Sequence, residues 1–378
     1  MKEEILIVAA EASADLHAAR ALVELQRMRP GIRAFGVGGP RLREAGLEAL
    51  YPAEELNVMG LVEVLPKIPR ILGVLRGLKE AAAERRPRVA LLVDSPDFNL
   101  RLAKHLKAMG VRVVYYVSPM IWAWRRGRAR KIARVVDRML CILPFEPAFY
   151  EGSGVSARFV GHPFAEKALP APAGSYREAL GLPASRTTIA LLPGSRRTEI
   201  DRILPPMLDA AERIRARHPD AQFVLPLAAT LDEQALRPAL ALHPALDVRV
   251  VPGRADEAVG ASDAALVKSG TATLEAALMQ RPIVVVYKVA WLSYWLGRLL
   301  VRGIKNFALV NLLAGRAVVP ELLQAEASPE RMAAEIERLL SDPAARRAQL
   351  DDLAEVRRSL GEPGAARRVA EEIAGALP

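Results

Sequence analysis

The chain has 378 residues, of which 51% are hydrophobic and 25% charged. That is enough for about two domains with full cores, and it is a globular rather than a disordered composition. A net charge of +10 favours anionic partners, while the single cysteine, Cys141, excludes an internal disulfide and a cysteine-rich zinc site.

Apolar runs at Ile5–Ala10, Ala34–Val37, Val89–Val93, Val111–Val117 and Met139–Leu143 read as buried strands, with helical patterns such as Leu100–Met109 between them. Alternation of this kind predicts a doubly wound unit with a parallel sheet. The run after Met1–Glu4 is too short for a signal peptide. No uncharged apolar window reaches the roughly 18 residues of a membrane span, so a cytoplasmic protein is expected. Leu169–Ser175 has linker composition. The pattern then restarts, with strands expected at Thr188–Leu192, Gln222–Leu227, Val248–Val251, Ala264–Val267 and Ile283–Tyr287 and a charged helical tail after Pro329. The expected fold is α/β: two Rossmann-like domains facing a cleft, over residues 1–168 and 176–345, with a tail over 346–378 whose helix packs back on the first domain.

Four strand ends carry polar residues suited to chemistry. After the first strand, Glu11, Ser13 and Asp15 are candidates to line a substrate site, although Ser13 or Asp15 can equally be a helix cap. Asp94 follows a fully apolar strand, where a carboxylate is costly unless it is bonded or catalytic. It is the better candidate for a general base, and Asp97 reads as the cap of the next helix or as a further substrate-binding residue. In the second half, Leu192-Pro-Gly-Ser-Arg196 places a tight turn before a helix, with Arg196 available to neutralise phosphate. Ser269, Gly270 and Thr271 form a second such turn, whose helix N-terminus can bind a diphosphate. Glu275, one turn on, is placed to accept ribose hydroxyls or is simply solvated. His162 reads equally as a ligand contact or a structural residue. Neither paired histidines at ligand spacing nor an Asp-x-Asp sequence occurs, so chemistry without metal or cofactor is expected.

Lys67–Lys79 sets Ile68, Ile71, Leu72, Leu75 and Leu78 on one helical stripe among basic residues, the pattern of an interfacial helix or of a core-facing one. All four tryptophans stand beside arginines: Trp122 and Trp124 near Arg125, and Trp291 and Trp295 near Arg298 and Arg302. Trp with Arg suits a lipid headgroup layer, and core packing is the plain alternative. No nucleic-acid motif is present.

On Glu11–Asp15, Val58–Leu65, Asp94–Asn99, Tyr116–Arg125, Leu192–Arg196, Ser269–Glu275 and Asn311–Arg316, the chain resembles the lipid A disaccharide synthase family along nearly its whole length. The resemblance implies a metal-independent, inverting transferase of the two-Rossmann (GT-B) type. It would join UDP-2,3-diacylglucosamine to 2,3-diacylglucosamine 1-phosphate through a β-1,6 linkage and release UDP. It further implies Asp94 as base, Arg196 and Ser269–Thr271 on the diphosphate, Glu275 on the ribose and Asn311 near the cleft. The implied setting is peripheral, on the inner face of the inner membrane, with an anionic surface as partner and a homodimer allowed. Two alanines, Ala10 and Ala14, stand where the family usually has glycine, and Lys268 stands where a small residue is expected. The alternatives are an N-acetylglucosamine transferase with another lipid-linked acceptor and a nonhydrolysing UDP-sugar 2-epimerase.

Overall fold

The computed structural model describes residues 3–56, 67–121, 126–288 and 306–377. The Val58–Leu65 stretch, Trp122, Trp124, Arg125, Trp291, Trp295, Arg298 and Arg302 lie outside the described residues.

The chain forms two compact units, Met1–Glu166 with Leu360–Pro378, and Lys167–Ser359. The first holds a seven-stranded sheet: β1 (Glu4–Ala9), β2 (Arg33–Gly38), β3 (Leu47–Pro52), β4 (Val89–Val93), β5 (Arg112–Tyr116), β6 (Arg138–Cys141) and β7 (Ser156–Phe159), in the order β3-β2-β1-β4-β5-β6-β7. Every pairing is parallel. A parallel sheet is covered on both faces, so its central strands are apolar throughout, and every residue of β4 is buried. Side chains alternate between the two faces. Ile5, Ile7 and Ala9 join the core under α1 (Ala12–Met28), while Leu6 and Val8 join the one that contains Leu102 and Leu106 of Pro96–Ala108.

The second unit repeats the plan with β8 (Thr188–Leu192), β9 (Gln222–Leu227), β10 (Val248–Pro252), β11 (Ala264–Lys268), β12 (Ile283–Tyr287) and β13 (Glu321–Leu323), in the order β10-β9-β8-β11-β12-β13. In both sheets the winding reverses beside the first strand, between β1 and β4 and between β8 and β11. The crevice at such a reversal is where doubly wound folds bind ligands.

The remaining helices used below are α2 (Pro40–Glu44), α3 (Ile68–Arg85), α4 (Pro96–Ala108), α5 (Ala173–Leu180), α6 (Arg197–Arg217), α7 (Thr271–Leu278), α8 (Pro343–Ser359) and α9 (Ala365–Ala374). The expected linker over 169–175 is in part helical, since α5 begins at Ala173. The tail expected over 346–378 divides. Helix α8 belongs to the second unit, and α9 returns to the first. Val369, Ala370 and Ile373 complete the core beneath α1, and Arg368 Nε donates to the Val160 carbonyl at 2.7 Å.

The apolar stripe of α3 does not act as one face. Leu75 and Leu78 are buried in the core with Val74, whereas Ile68 and Leu72 are 39% and 49% exposed and Ile71 lies between. The stripe is therefore core-facing in its middle and open to solvent only at its start.

Candidate active site

In the first unit the chain leaves β4 in a strained conformation. Asp94 and Ser95 both take left-handed backbone angles (φ 53° and 44°), and Val117, after the neighbouring β5, has φ 66°. Such angles cost about 1–3 kcal/mol for each non-glycine residue and persist where the surroundings over-determine them. Here they do. The Asp94 N–H donates to the Tyr116 carbonyl at 3.0 Å, and its own carbonyl accepts from Asn99 Nδ2 at 2.8 Å and from the Tyr115 hydroxyl. The main chain at Asp94 is thereby fixed at the strand end, and the residue is half-buried. Burial raises its pKa, and the bond from the Ser95 N–H only partly opposes this.

Glu11 stands at the end of adjacent β1 as the N-cap residue of α1, and its side chain makes no capping bond. Burial raises its pKa, and the Asp94 charge raises it further. The Asp94 charge thus bears on Glu11 at one switch point. Two histidines nearby are held neutral. Burial and then Arg20 bring His17 down to about 4, and burial and then His17 bring His162 to about 3. His162 Nδ1 accepts the Phe164 N–H at 3.1 Å, and its ring lies against that of Phe164.

Other expected residues have different surroundings from those anticipated. Asp15 is buried and accepts from the N–H groups of Gly39 (2.7 Å), Arg41 (2.9 Å) and Leu42 (3.1 Å). It caps α2, and a Cβ on Gly39 would stand 2.6 Å from it. Three backbone N–H groups take up most of its acceptor capacity. Asp97 is not the cap of α4, since Ser95 holds that position. Its side chain is 89% exposed, 3.7 Å from Arg128. Ser13 is exposed in the first turn of α1. Ala14 sits inside that helix and Ala10 is buried before it, neither with positive φ, so this loop needs no glycine there.

In the second unit β8 opens into Gly194 (φ 124°), Ser195 and Arg196, the last being the N-cap of α6. Glu199 folds back over this turn. Its Oε2 accepts the Ser195 N–H at 3.0 Å, and a Cβ on Gly194 would fall 2.3 Å from it. Only glycine fits. Arg196 is exposed, 3.6 Å from the same carboxylate. At the end of β11, Ser269 is buried and Gly270 has φ 156° and ψ −165°, a region open essentially to glycine alone. Thr271 is exposed at the start of α7, whose first N–H groups have no acceptor within the helix. Lys268 joins the two loops, with Nζ 2.8 Å from Glu199 Oε1. Glu275 is partly buried, 3.4 Å from Lys167 Nζ, which also lies 2.8 Å from Asp256.

Asn311 is fully buried. Its Oδ1 accepts from Val318 and Val319 N–H (2.7 and 2.9 Å), and its Nδ2 donates to the Val319 carbonyl and the Glu321 carboxylate (2.9 and 2.6 Å). Its amide is saturated by these four bonds, and it organises the approach to β13. Sequence reasoning passed over Asn99, Tyr115 and Glu199. Only Asn99 and Glu199 had a visible signal, as polar residues in the first turns of helices that follow the candidate loops. Among the described residues no three His, Cys, Asp or Glu side chains form a metal-binding group, and no helix is long and apolar enough to cross a membrane.

Two doubly wound parallel units, each with polar residues gathered at its switch point, define the two-Rossmann, GT-B class of fold. The chain belongs to the lipid-A-disaccharide synthetase family, whose sequence profile matches residues 5–373, and it is a glycosyltransferase. It is 73% identical over 377 residues to the lipid-A-disaccharide synthase of Anaeromyxobacter dehalogenans, covering 100% of this chain and 98% of that one. It is 57% identical over 376 residues to that of Myxococcus xanthus, covering 99% and 97%. Among solved structures it is similar to UDP-GlcNAc 2-epimerase from Neisseria meningitidis bound to UDP-GlcNAc (TM-score 0.64, 12% identity, 98% of this chain and 100% of that one). A ugt transferase from Siraitia grosvenorii in complex with UDP matches at TM-score 0.63 and 14% identity, covering 100% of each chain. At these identities the structural likeness speaks for the fold alone.

The effect of Asp94 on Glu11 generates a titration test. A carboxyl with a raised folded-state pKa contributes stability that is full below its unfolded pKa and lost as pH rises through the folded value. Glu11 is raised in part by Asp94, so Asp94→Asn is expected to lower the Glu11 pKa and to move that loss of stability to lower pH. Carbon-13 NMR of the side-chain carboxyls measures both. An unmoved Glu11 titration would show that the two groups do not interact.

Proposed function

We propose that the enzyme transfers the 2,3-diacylglucosamine unit of UDP-2,3-diacylglucosamine to the 6-hydroxyl of 2,3-diacylglucosamine 1-phosphate and releases UDP. The observation that carries the mechanism is Asp94: a half-buried carboxyl of raised pKa, held in a strained, over-determined turn at the switch point of the first sheet. A base needs this combination of fixed geometry and a pKa moved toward the working pH. In a single displacement Asp94 takes the proton of the acceptor hydroxyl as that oxygen bonds to the donor's anomeric carbon. The bond from that carbon to the UDP oxygen breaks, and its electron pair leaves with UDP. Attack opposite the leaving group inverts the anomeric centre and gives the β linkage. Glu11, the uncapped neighbour, is assigned to the acceptor sugar.

The leaving group needs positive charge and N–H donors, because negative charge develops on the diphosphate in the transition state. The turns at Gly194–Arg196 and Ser269–Thr271 offer both, each at a helix N-terminus. Glu275, one turn into α7, is assigned to the ribose hydroxyls, and Lys167, itself paired with Asp256, holds its carboxylate in place. No metal is invoked. Both substrates carry acyl chains, so the reactive sugars are met at a lipid surface. Exposed Ile68 and Leu72, with Lys67 and Arg76 on the same helix, are assigned to an anionic membrane on its cytoplasmic face.

Asp94→Asn is expected to lower kcat by about a hundredfold or more and to leave UDP affinity, measured by calorimetry, unchanged. Turnover near the wild-type rate would remove Asp94 from the mechanism. For the membrane contact, the paired substitution Ile68→Ser and Leu72→Ser leaves the core intact because both side chains are exposed. Flotation with anionic liposomes is expected to show reduced binding, and turnover of acylated substrate should fall with it. The remaining binding should weaken as salt shortens the Debye length from about 10 Å at 0.1 M to about 3 Å at 1 M. Liposome binding equal to wild type would place the contact elsewhere.

A further inference from the structure

We propose that Lys268 is a cation of the diphosphate subsite and that Glu199 is the residue that positions it. The proposal rests on the reading of the second unit as the UDP-sugar half. Lys268 is the last residue of β11, directly beside β8, so its side chain starts at the switch point itself. Nζ lies 2.8 Å from Glu199 Oε1, and the two side chains are only 22% and 14% exposed. A Cβ added to Gly270 would stand 3.5 Å from Nζ, so the ammonium rests against the turn that precedes the first N–H groups of α7. The other oxygen of Glu199 holds the Ser195 N–H in the opposite loop at 3.0 Å. One carboxylate thus ties both loops together and presents the ammonium where they meet.

The charges support a ligand as well as a staple. Lys268 and Arg196 both face Glu199, at 2.8 and 3.6 Å, so these three groups carry one net positive charge. Burial works to raise the Glu199 pKa, but the bonds from Lys268 and from the Ser195 N–H outweigh it, and the carboxyl stays ionised. An ammonium has three donors. One can stay on Glu199 while another turns to a phosphate oxygen, as the flexible lysine stem allows. A staple alone would act differently: its loss would loosen both loops and weaken every ligand of the site, whatever the ligand's charge.

The test compares UDP with uridine, which lacks the diphosphate, on the full-length protein. Lys268→Met is expected to weaken UDP about tenfold or more, the scale of one lost charge-assisted hydrogen bond, as read by calorimetry. Uridine binding, read by saturation-transfer NMR, should be unchanged. Lys268→Arg should recover most of the UDP affinity. Glu199→Gln keeps an acceptor for Ser195 but releases the lysine, so kcat should fall while UDP affinity holds or rises. If Lys268→Met weakened UDP and uridine alike, the pair would be a staple and the proposal would be overturned. It would also be overturned if Lys268→Met bound UDP as wild type does while Glu275→Ala bound it more weakly, with the UDP site left standing. If neither variant altered UDP binding, the UDP-half reading would fall with it. Should Lys268→Met melt well below wild type, Lys268→Gln takes its place in the same comparisons.

Discussion

The structure depends on the burial of both faces of each parallel sheet. Strands such as Val89–Val93 and Thr188–Leu192 are buried throughout, so no polar side chain can project from their middles without a large desolvation cost. Polar chemistry is displaced to the strand ends. Connections from two adjacent strands diverge only at the switch point, and there the ends are uncovered. Glu11 and Asp94 leave β1 and β4, while Gly194 and Lys268 belong to the ends of β8 and β11. The fold thus determines where reactive groups can stand, and the loops determine which ones do.

The two switch points are built with opposite electrostatics. In the first, two carboxyls are desolvated together, and both are raised in pKa. In the second, a carboxylate is kept ionised by a lysine and a backbone N–H, with an arginine beside it, at the mouths of two helices. The first arrangement suits removal of a proton from a hydroxyl, the second the acceptance of a departing diphosphate. A glycosyl transfer needs both. The strain at Asp94 and Ser95 belongs to the same economy: the turn exposes the carboxyl at the strand end, and Asn99 and Tyr115 hold it against relaxation.

Much of this was legible in the sequence, for a physical reason. Central strands are continuous apolar runs because both faces are covered, so Val89–Val93, Thr188–Leu192, Gln222–Leu227 and Ile283–Tyr287 could be read with the bounds the structure gives. Strands β3, β7 and β13 were missed. All three are edge strands, half-covered and mixed in composition, and they lack the periodic signal of a buried run. The polar residues were harder to sort. Asp15 and Asn311 stand out as polar residues in one dimension, and their backbone partners at Gly39 and Val319 are visible only in three. Lys268 looked like a departure from the pattern until Glu199 was seen opposite it. The stripe on α3 was real as a period, yet periodicity does not say which part of a face meets the core.

The central claim is that one unit supplies a base for an acceptor hydroxyl and the other a site for a leaving UDP. Mass spectrometry of the products made from UDP-2,3-diacylglucosamine, with and without 2,3-diacylglucosamine 1-phosphate, tests it most directly. The account predicts a tetraacyl disaccharide 1-phosphate and an equal amount of UDP when both substrates are present, and no turnover of the donor alone. Conversion of the donor to an isomeric UDP-sugar without the acceptor, and without release of UDP, would contradict it.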